Sequence, residues 1–255
     1  MEQEKIVEVK GLSAAFGDTK VLDDVSFSAY KGEITVILGT SGSGKTTVLR
    51  HILGLLPVKE GSVMVLGKNI KALTEPEQLA LYHDFGVFYQ NGGLINSMTV
   101  SENVALPLKQ HTRLPEPLIN NLVGMKLGLV NLSHASHQYP AELSGGMIKR
   151  AALARAIAMD PPLLFCDEPG AGLDPVSLES LDQLILNLKK LLGISVVMVT
   201  HEVSSIMRVA DRVVYLDQGK VVFEGTVRDA LKSDVEAVNE FFSVMKNPKL
   251  KELLQ

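Results

Sequence analysis

Nine consecutive residues hold the strongest chemical signal in the chain: Gly39, Thr40, Ser41, Gly42, Ser43, Gly44, Lys45, Thr46 and Thr47. They fit the pattern G-x-x-x-x-G-K-[ST], in which glycines let successive backbone N–H groups turn inward around a phosphate. A helix that follows such a turn adds its positive N-terminal end. Lys45 is then suited to reach the β- and γ-phosphates as a point charge, and the Thr46 hydroxyl to hold Mg²⁺. A second constellation lies at residues 163–168, Leu-Leu-Phe-Cys-Asp-Glu, where an apolar run delivers two carboxylates together. Asp167 is suited to hold Mg²⁺ through water, and Glu168 to polarise a water for attack on a γ-phosphate. An acidic pair after a strand is more often a solvated loop, but the phosphate-binding run upstream reverses that reading. The two constellations together imply nucleoside triphosphate chemistry and leave its kind open.

The surrounding residues predict the elements that position these groups. Residues 33–38 form an apolar strand that ends at Gly39, and residues 46–55 a helix, so the glycine turn sits between strand and helix as phosphate binding requires. In the first thirty residues Ile6, Val7 and Val9, then Val21 and Leu22, then Val25 and Phe27 alternate, with Gly17, Asp18 and Asp23 between them. That pattern predicts short strands joined by turns. From about residue 74 to 158 the composition turns helical, with prolines at 76, 107, 115, 117 and 140 as expected breaks. Strand character returns at 163–167 and 194–200 with a helical stretch at 175–192 between them, which predicts a parallel sheet with crossover helices. The helical middle is then an insertion between two strands of that sheet. Open α/β sheets bind ligands at the carboxyl ends of their strands, where both constellations fall.

Composition narrows the classes further. At 255 residues, 46% hydrophobic and 21% charged, the chain is globular and builds one large domain or two joined lobes. A net charge of −4 gives no electrostatic basis for binding nucleic acid. Six histidines and a lone cysteine, Cys166, exclude a disulfide framework and zinc-ligand spacing, and Cys166 reads as a small buried hydrophobe in a reducing setting. The first residues are charged and carry no secretory signal, and no run approaches the roughly 18 to 20 apolar residues that span a bilayer. Work at a membrane therefore requires a spanning partner.

What kind of triphosphate enzyme this is turns on Ser144, Gly145 and Gly146, between Leu143 and Met147 and followed by a helical run at 149–158. A serine and two glycines at a helix start make an N-cap and a second anion-binding nest, although a merely capped helix reads the same way. Lying between the phosphate loop and the acidic strand, the segment resembles the signature of ABC-type ATPases, and the resemblance spans about residues 5–230. It implies an α/β P-loop NTPase of ABC type, with a parallel-sheet core, an N-terminal antiparallel β-lobe and a helical insertion. The expected domain is 1–230, with a helical signature subdomain at about 91–160, followed by a C-terminal helical tail at 231–255. By resemblance, Phe16 stacks on adenine, Gln90 touches Mg²⁺ and relays nucleotide state, and His201 contacts the γ-phosphate. Asp174 lies in the loop that crosses to the opposite subunit. The resemblance also makes Ser144, Gly145 and Gly146 complete the ATP site of a second copy of the chain, so that ATP and Mg²⁺ are held in a head-to-tail dimer that closes, hydrolyses ATP and reopens.

Met147 in place of the usual glutamine, the glycine pair Gly92 and Gly93, and the stretch 105–112 look like the ATPase of Mla-type, MCE-associated lipid transporters. These move phospholipids between the membranes of Gram-negative bacteria. The partners so implied are membrane-spanning permease subunits, a periplasmic MCE protein and a small STAS-domain protein, with the chain at the cytoplasmic face of the inner membrane. A groove beside Gln90 would receive a short permease helix, with Leu94, Ile95 and Met98 as apolar contacts or as packing within the helical lobe. His111 and Thr112 read as solvated loop residues, and Gly170 as a flexible turn without an assigned role. The spacing of Val235, Val238, Phe241, Phe242 and Met245 predicts a helix that packs on its own domain, broken by Pro248; a dimer arm or a surface for the small partner is the alternative. The rivals are an ATPase serving amino acid transport, lipoprotein release or cell division, and a non-transport ABC ATPase. The latter usually carries paired cassettes, coiled-coil insertions or basic extensions, none of which is present.

Overall fold

The computed structural model describes residues 3–246. They divide into two compact units, one formed by residues up to 74 together with those from 199 onward, the other by residues 75–198.

The first unit opens with two long strands, β1 (Lys5–Phe16) and β2 (Thr19–Tyr30), followed by β3 (Ile34–Gly39), α1 (Lys45–Ile52), β4 (Glu60–Val65) and β5 (Lys68–Asn69). The short strands expected at the start are in fact two strands of 12 residues each. Register shifts along the β1–β2 pairing absorb the breaks in alternation, so the apolar residues on both sides of each shift still reach the core. Val7, Val9, Leu12, Leu22, Val25 and Phe27 are all buried. The antiparallel sheet runs β2-β1-β4-β5. Strand β3 is buried throughout, as its apolar run requires. Helix α1 stops earlier than the composition suggests, because Gly54 adopts a φ of 69° and the Leu55 N–H turns back to the Arg50 carbonyl at 2.9 Å.

The second unit contains α2 (Glu75–Tyr82), β6 (Phe85–Phe88), α3 (Val100–His111), α4 (Glu116–Leu129), α5 (Gly145–Ala156), β7 (Leu163–Asp167), α6 (Pro175–Leu192) and β8 (Ser195–Val199). Strand β6 falls inside the segment expected to be helical. Its Gly86 looks like a breaker in sequence, but a Cβ there would stand 2.1 Å from the Ala156 carbonyl oxygen, so the glycine permits close approach. β6 and β7 pair in parallel, in the order β8-β7-β6. Helices α3, α4 and α5 lie between these two strands in the chain, which is the helical insertion. Pro107 does not break α3: the helix runs through it, its N-terminus fixed by a Thr99–Glu102 capping box and its inner face by buried Val100, Val104 and Leu108. Helix α6 matches its expected bounds, with Asp174 as N-cap and Gly193 (φ 67°) at its end.

The chain then returns to the first unit with α7 (Val203–Val209), β9 (Arg212–Asp217), β10 (Lys220–Thr226), α8 (Val227–Ala230) and α9 (Glu236–Lys246). β9 pairs in parallel with β3 and antiparallel with β10. On α9, Val238 and Phe242 are buried, and Phe241 meets Tyr215 of β9 edge-on at 5.7 Å. The described part of the tail therefore packs on its own unit. The Met245 side chain and Pro248 lie outside the described residues.

Candidate functional site

In the first unit, β3 delivers residues 39–47 at its carboxyl end. Gly39, Gly42 and Gly44 have φ values of 146°, 78° and 101°, conformations that side chains rarely adopt. Two of them are also enclosed. A Cβ on Gly39 would stand 2.0 Å from the Leu216 carbonyl oxygen of β9, and one on Gly44 2.6 Å from Leu22 of β2. The loop is thus fixed on both sides by the strands that flank it. Lys45 folds its ammonium onto the loop, donating to the carbonyls of Gly39 at 3.0 Å and Thr40 at 2.9 Å. The Thr40 hydroxyl donates to Asp217 at 3.4 Å. Ser43 is buried, and its hydroxyl has no hydrogen-bond partner. A buried hydroxyl left without a partner is costly, and a phosphate oxygen in the loop would satisfy it. Ser41 and Thr46 are exposed, and Thr47 is half-buried.

The same strand end positions His201. The Thr200 N–H donates to the Ile37 carbonyl of β3 at 3.4 Å, so His201 follows directly at the carboxyl edge where the loop begins. Its ring is exposed, with Nε2 3.8 Å from Glu202. Phe16, the last residue of β1, closes the hairpin opposite Thr19 and is 52% exposed.

In the second unit, Asp167 ends β7 half-buried, and Glu168 follows with a left-handed backbone, φ 46°. That conformation costs a non-glycine residue roughly 1–3 kcal/mol and is typical of functional positions. Buried Lys149 of α5 lies in the electrostatic reach of Glu168. Burial pulls the lysine pKa below its ordinary value, and the Glu168 charge pulls it partly back. The Lys149 ammonium also donates to the Gln90 carbonyl and lies 5.6 Å from the Phe88 ring centroid. One buried cation thereby links the carboxylate strand to Gln90, two residues beyond β6.

Past Gln90, whose side chain is exposed, the backbone is held by two residues that the sequence reading did not single out. Arg155 donates to the carbonyls of Gly93 at 2.6 Å and Gly92 at 2.9 Å. Fully buried Asn103 accepts from the Ile95 N–H at 2.8 Å and donates to the carbonyls of Ile95, Met98 and Thr99. The available signal was a polar residue on the buried face of α3, between Val100 and Val104. Leu94 and Met98 are half-buried and Ile95 is 37% exposed. His111 is not a loop residue. It ends α3 and faces His83, with 3.1 Å between ring nitrogens, and the Thr112 hydroxyl caps the helix by donating to Leu108 at 2.7 Å.

Ser144 is the N-cap of α5 and accepts from the Met147 N–H at 3.3 Å. Ser144 and Gly145 are exposed, leaving the nest open. The Asp174 loop lies against it, since a Cβ on Gly145 would be 3.9 Å from Leu173 and one on Gly146 3.9 Å from Ser177. Asp174 accepts from the Val176 and Ser177 N–H groups at 3.0 Å each. The Ser177 hydroxyl and these N–H groups hold its carboxyl below the usual aspartate range. Gly170 is not a hinge, because a Cβ there would stand 2.3 Å from Leu178, so the glycine is a packing requirement. Burial pushes the Cys166 thiol far up, reinforced by the Asp167 charge, so it is inert.

Three comparisons with known proteins bear on this geometry. The profile of the family described as ABC transporter matches residues 22–171. The intermembrane phospholipid transport system ATP-binding protein MlaF of Haemophilus influenzae is 40% identical over 238 residues, covering 93% of this chain and 90% of that protein. The Escherichia coli K12 protein of the same name is 38% identical over 94% of this chain and 90% of its own. The probable ribonucleotide transport ATP-binding protein mkl of Mycobacterium leprae is 38% identical, over 93% of this chain and 68% of that protein. Among solved structures, the dimeric ATP-binding cassette MJ0796 bound to ADP and Pi is similar with a TM-score of 0.79 and 31% identity, covering 87% of this chain and 99% of that one. cbiO1 of Clostridium perfringens, part of the complex cbiONQ, gives 0.84 at 26% identity over 99% of both chains.

Proposed function

The chain belongs to the ABC transporter family as an ATP-hydrolysing enzyme, and on that premise we propose that it powers the movement of phospholipid between the inner and outer membranes of a Gram-negative cell. The observation that carries the load assignment is the 40% identity to MlaF, which extends over nine-tenths of both chains and so beyond the ATPase motifs that all such enzymes share.

In this reading residues 39–47 hold the triphosphate through backbone N–H groups, Lys45 and the Ser43 hydroxyl. Thr46, Asp167 and Gln90 each offer an oxygen donor of the kind that suits Mg²⁺, which would supply charge neutralisation on the phosphates when bound. Glu168 accepts a proton from the attacking water as the new oxygen–phosphorus bond forms. The bridging bond to the γ-phosphorus breaks, and ADP leaves with its electron pair. His201 orients the γ-phosphate, and Phe16 stacks on adenine. Ser144, Gly145 and Gly146 serve the ATP of a second copy, consistent with the dimeric cassettes of the same fold. The permease partner is the source of membrane attachment, since among the described residues no helix is long and apolar enough to cross a bilayer. The cytoplasmic face of the inner membrane, a periplasmic MCE protein and a small STAS-domain protein complete the assembly.

Glu168→Gln in the assembled complex should retain ATP binding, lose steady-state hydrolysis by about a hundredfold or more, and accumulate as an ATP-bound dimer. Hydrolysis at the unaltered rate would remove Glu168 from its role. Lipid extraction from the co-purified wild-type complex should recover phospholipid; recovery of nucleotide cargo instead would favour the name carried by the mycobacterial relative.

A further inference from the structure

A cavity of about 610 Å³ opens in the first unit, with Phe16, Lys20, His51, Lys59 and Glu60 in its wall. His51 is the anomaly there. The other buried residues of α1 are Val48, Leu49 and Ile52, and packing alone would place another apolar side chain beside them. His51 is 4% exposed, and neither ring nitrogen makes a well-formed hydrogen bond. Burial lowers its pKa against a weaker raising by a hydrogen bond to the Leu56 backbone, so the ring is neutral and at least one of its nitrogens is left without a partner. Buried polar groups are almost always satisfied, and one left over on a cavity wall points to an occupant.

The chain path indicates which occupant. The phosphate loop runs straight into α1, and Thr47 and His51, four residues apart, share one face of that helix. At 1.5 Å per residue, His51 lies about 6 Å beyond Thr47 along the axis. A nucleotide with its phosphates in the loop therefore has its nucleoside on the Thr47–His51 flank, with Phe16 on the same cavity wall. We propose that His51 hydrogen-bonds the nucleoside of the bound nucleotide and so adds to the selection of ATP over bare polyphosphate.

This assignment rests on the reading of residues 39–47 as the phosphate site. Affinities of the full chain for ATP and for inorganic tripolyphosphate, compared between wild type and His51→Leu, test it. ATP affinity should fall about fivefold to a hundredfold while tripolyphosphate affinity stays constant. Equal loss of both ligands, or loss of neither, overturns the role. Should the leucine variant fold poorly, ¹⁵N-histidine spectra of the wild-type chain decide. The His51 ring signals should shift with ATP and not with tripolyphosphate, and identical or absent responses overturn the proposal. Lys45→Ala separates the two readings. If it leaves tripolyphosphate binding unchanged, the phosphate-site reading fails; if it abolishes that binding while His51→Leu leaves ATP untouched, only the nucleoside role fails.

Discussion

Gly170 shows how one residue carries information that its type conceals. Between the Asp167–Glu168 carboxylates and the Asp174 loop, a glycine suggests flexibility, yet a methyl group there would meet Leu178, which lies on the buried face of α6. Gly170→Ala should therefore destabilise the chain by about 1–3 kcal/mol in denaturant titration, as overpacking does. Leu178→Val, by withdrawing the obstructing methyl, should recover part of that loss in the double variant. Additive losses in the two variants would mean that the glycine is needed for its backbone instead. At this scale the sequence was most legible where residue type and chemistry coincide: the glycines, Lys45 and Thr46 of the loop, and the Asp167–Glu168 pair. It was least legible where a polar side chain acts through burial, as with Lys149, Asn103 and His51, because burial belongs to the fold and not to the residue.

Elements were legible in proportion to their own local signals. Helix α6 was anticipated to the residue because Asp174, Pro175 and Gly193 mark its ends chemically. Strand β6 was hidden because it is only four residues long and contains Gly86, whose reason is the neighbouring α5 backbone. Strands β9 and β10 were likewise unassigned, since a hairpin after a long alternating fold carries no distinguishing motif. The segment from Gln90 to Thr99 has little regular structure, and it is ordered mainly by side chains from α3 and α5. Asn103→Leu would strand the Ile95 N–H and three carbonyls that Asn103 now serves. It should cost about 2–4 kcal/mol of stability, more than a single neutral hydrogen bond, because several buried groups lose partners together. Limited proteolysis should then cut first within residues 90–99. A loss of stability spread evenly, without preferential cleavage there, would assign Asn103 to the general core.

At the scale of the whole molecule, one phosphate loop and one signature per chain determine how activity depends on assembly. If Ser144, Gly145 and Gly146 serve the same chain's nucleotide, a defect in either motif is confined to the polypeptide that carries it. If they serve a second copy, defects in different motifs complement. Lys45→Ala removes the loop cation and leaves the signature intact; Ser144→Arg fills the open nest with a bulky cation and leaves the loop intact. Each variant alone should hydrolyse ATP at a small fraction of the wild-type rate. Equal mixing gives heterodimers in half of the pairs, each with one of its two sites built from an intact loop and an intact signature. Hydrolysis should then return to about a quarter of the wild-type rate, the share of complete sites that random pairing through a two-fold axis allows. Recovery should also rise with total protein concentration, because pairing is a mass-action equilibrium. A mixture no more active than the mean of its components would confine each site to a single chain, and Ser144, Gly145 and Gly146 at the start of α5 would then be an ordinary helix cap.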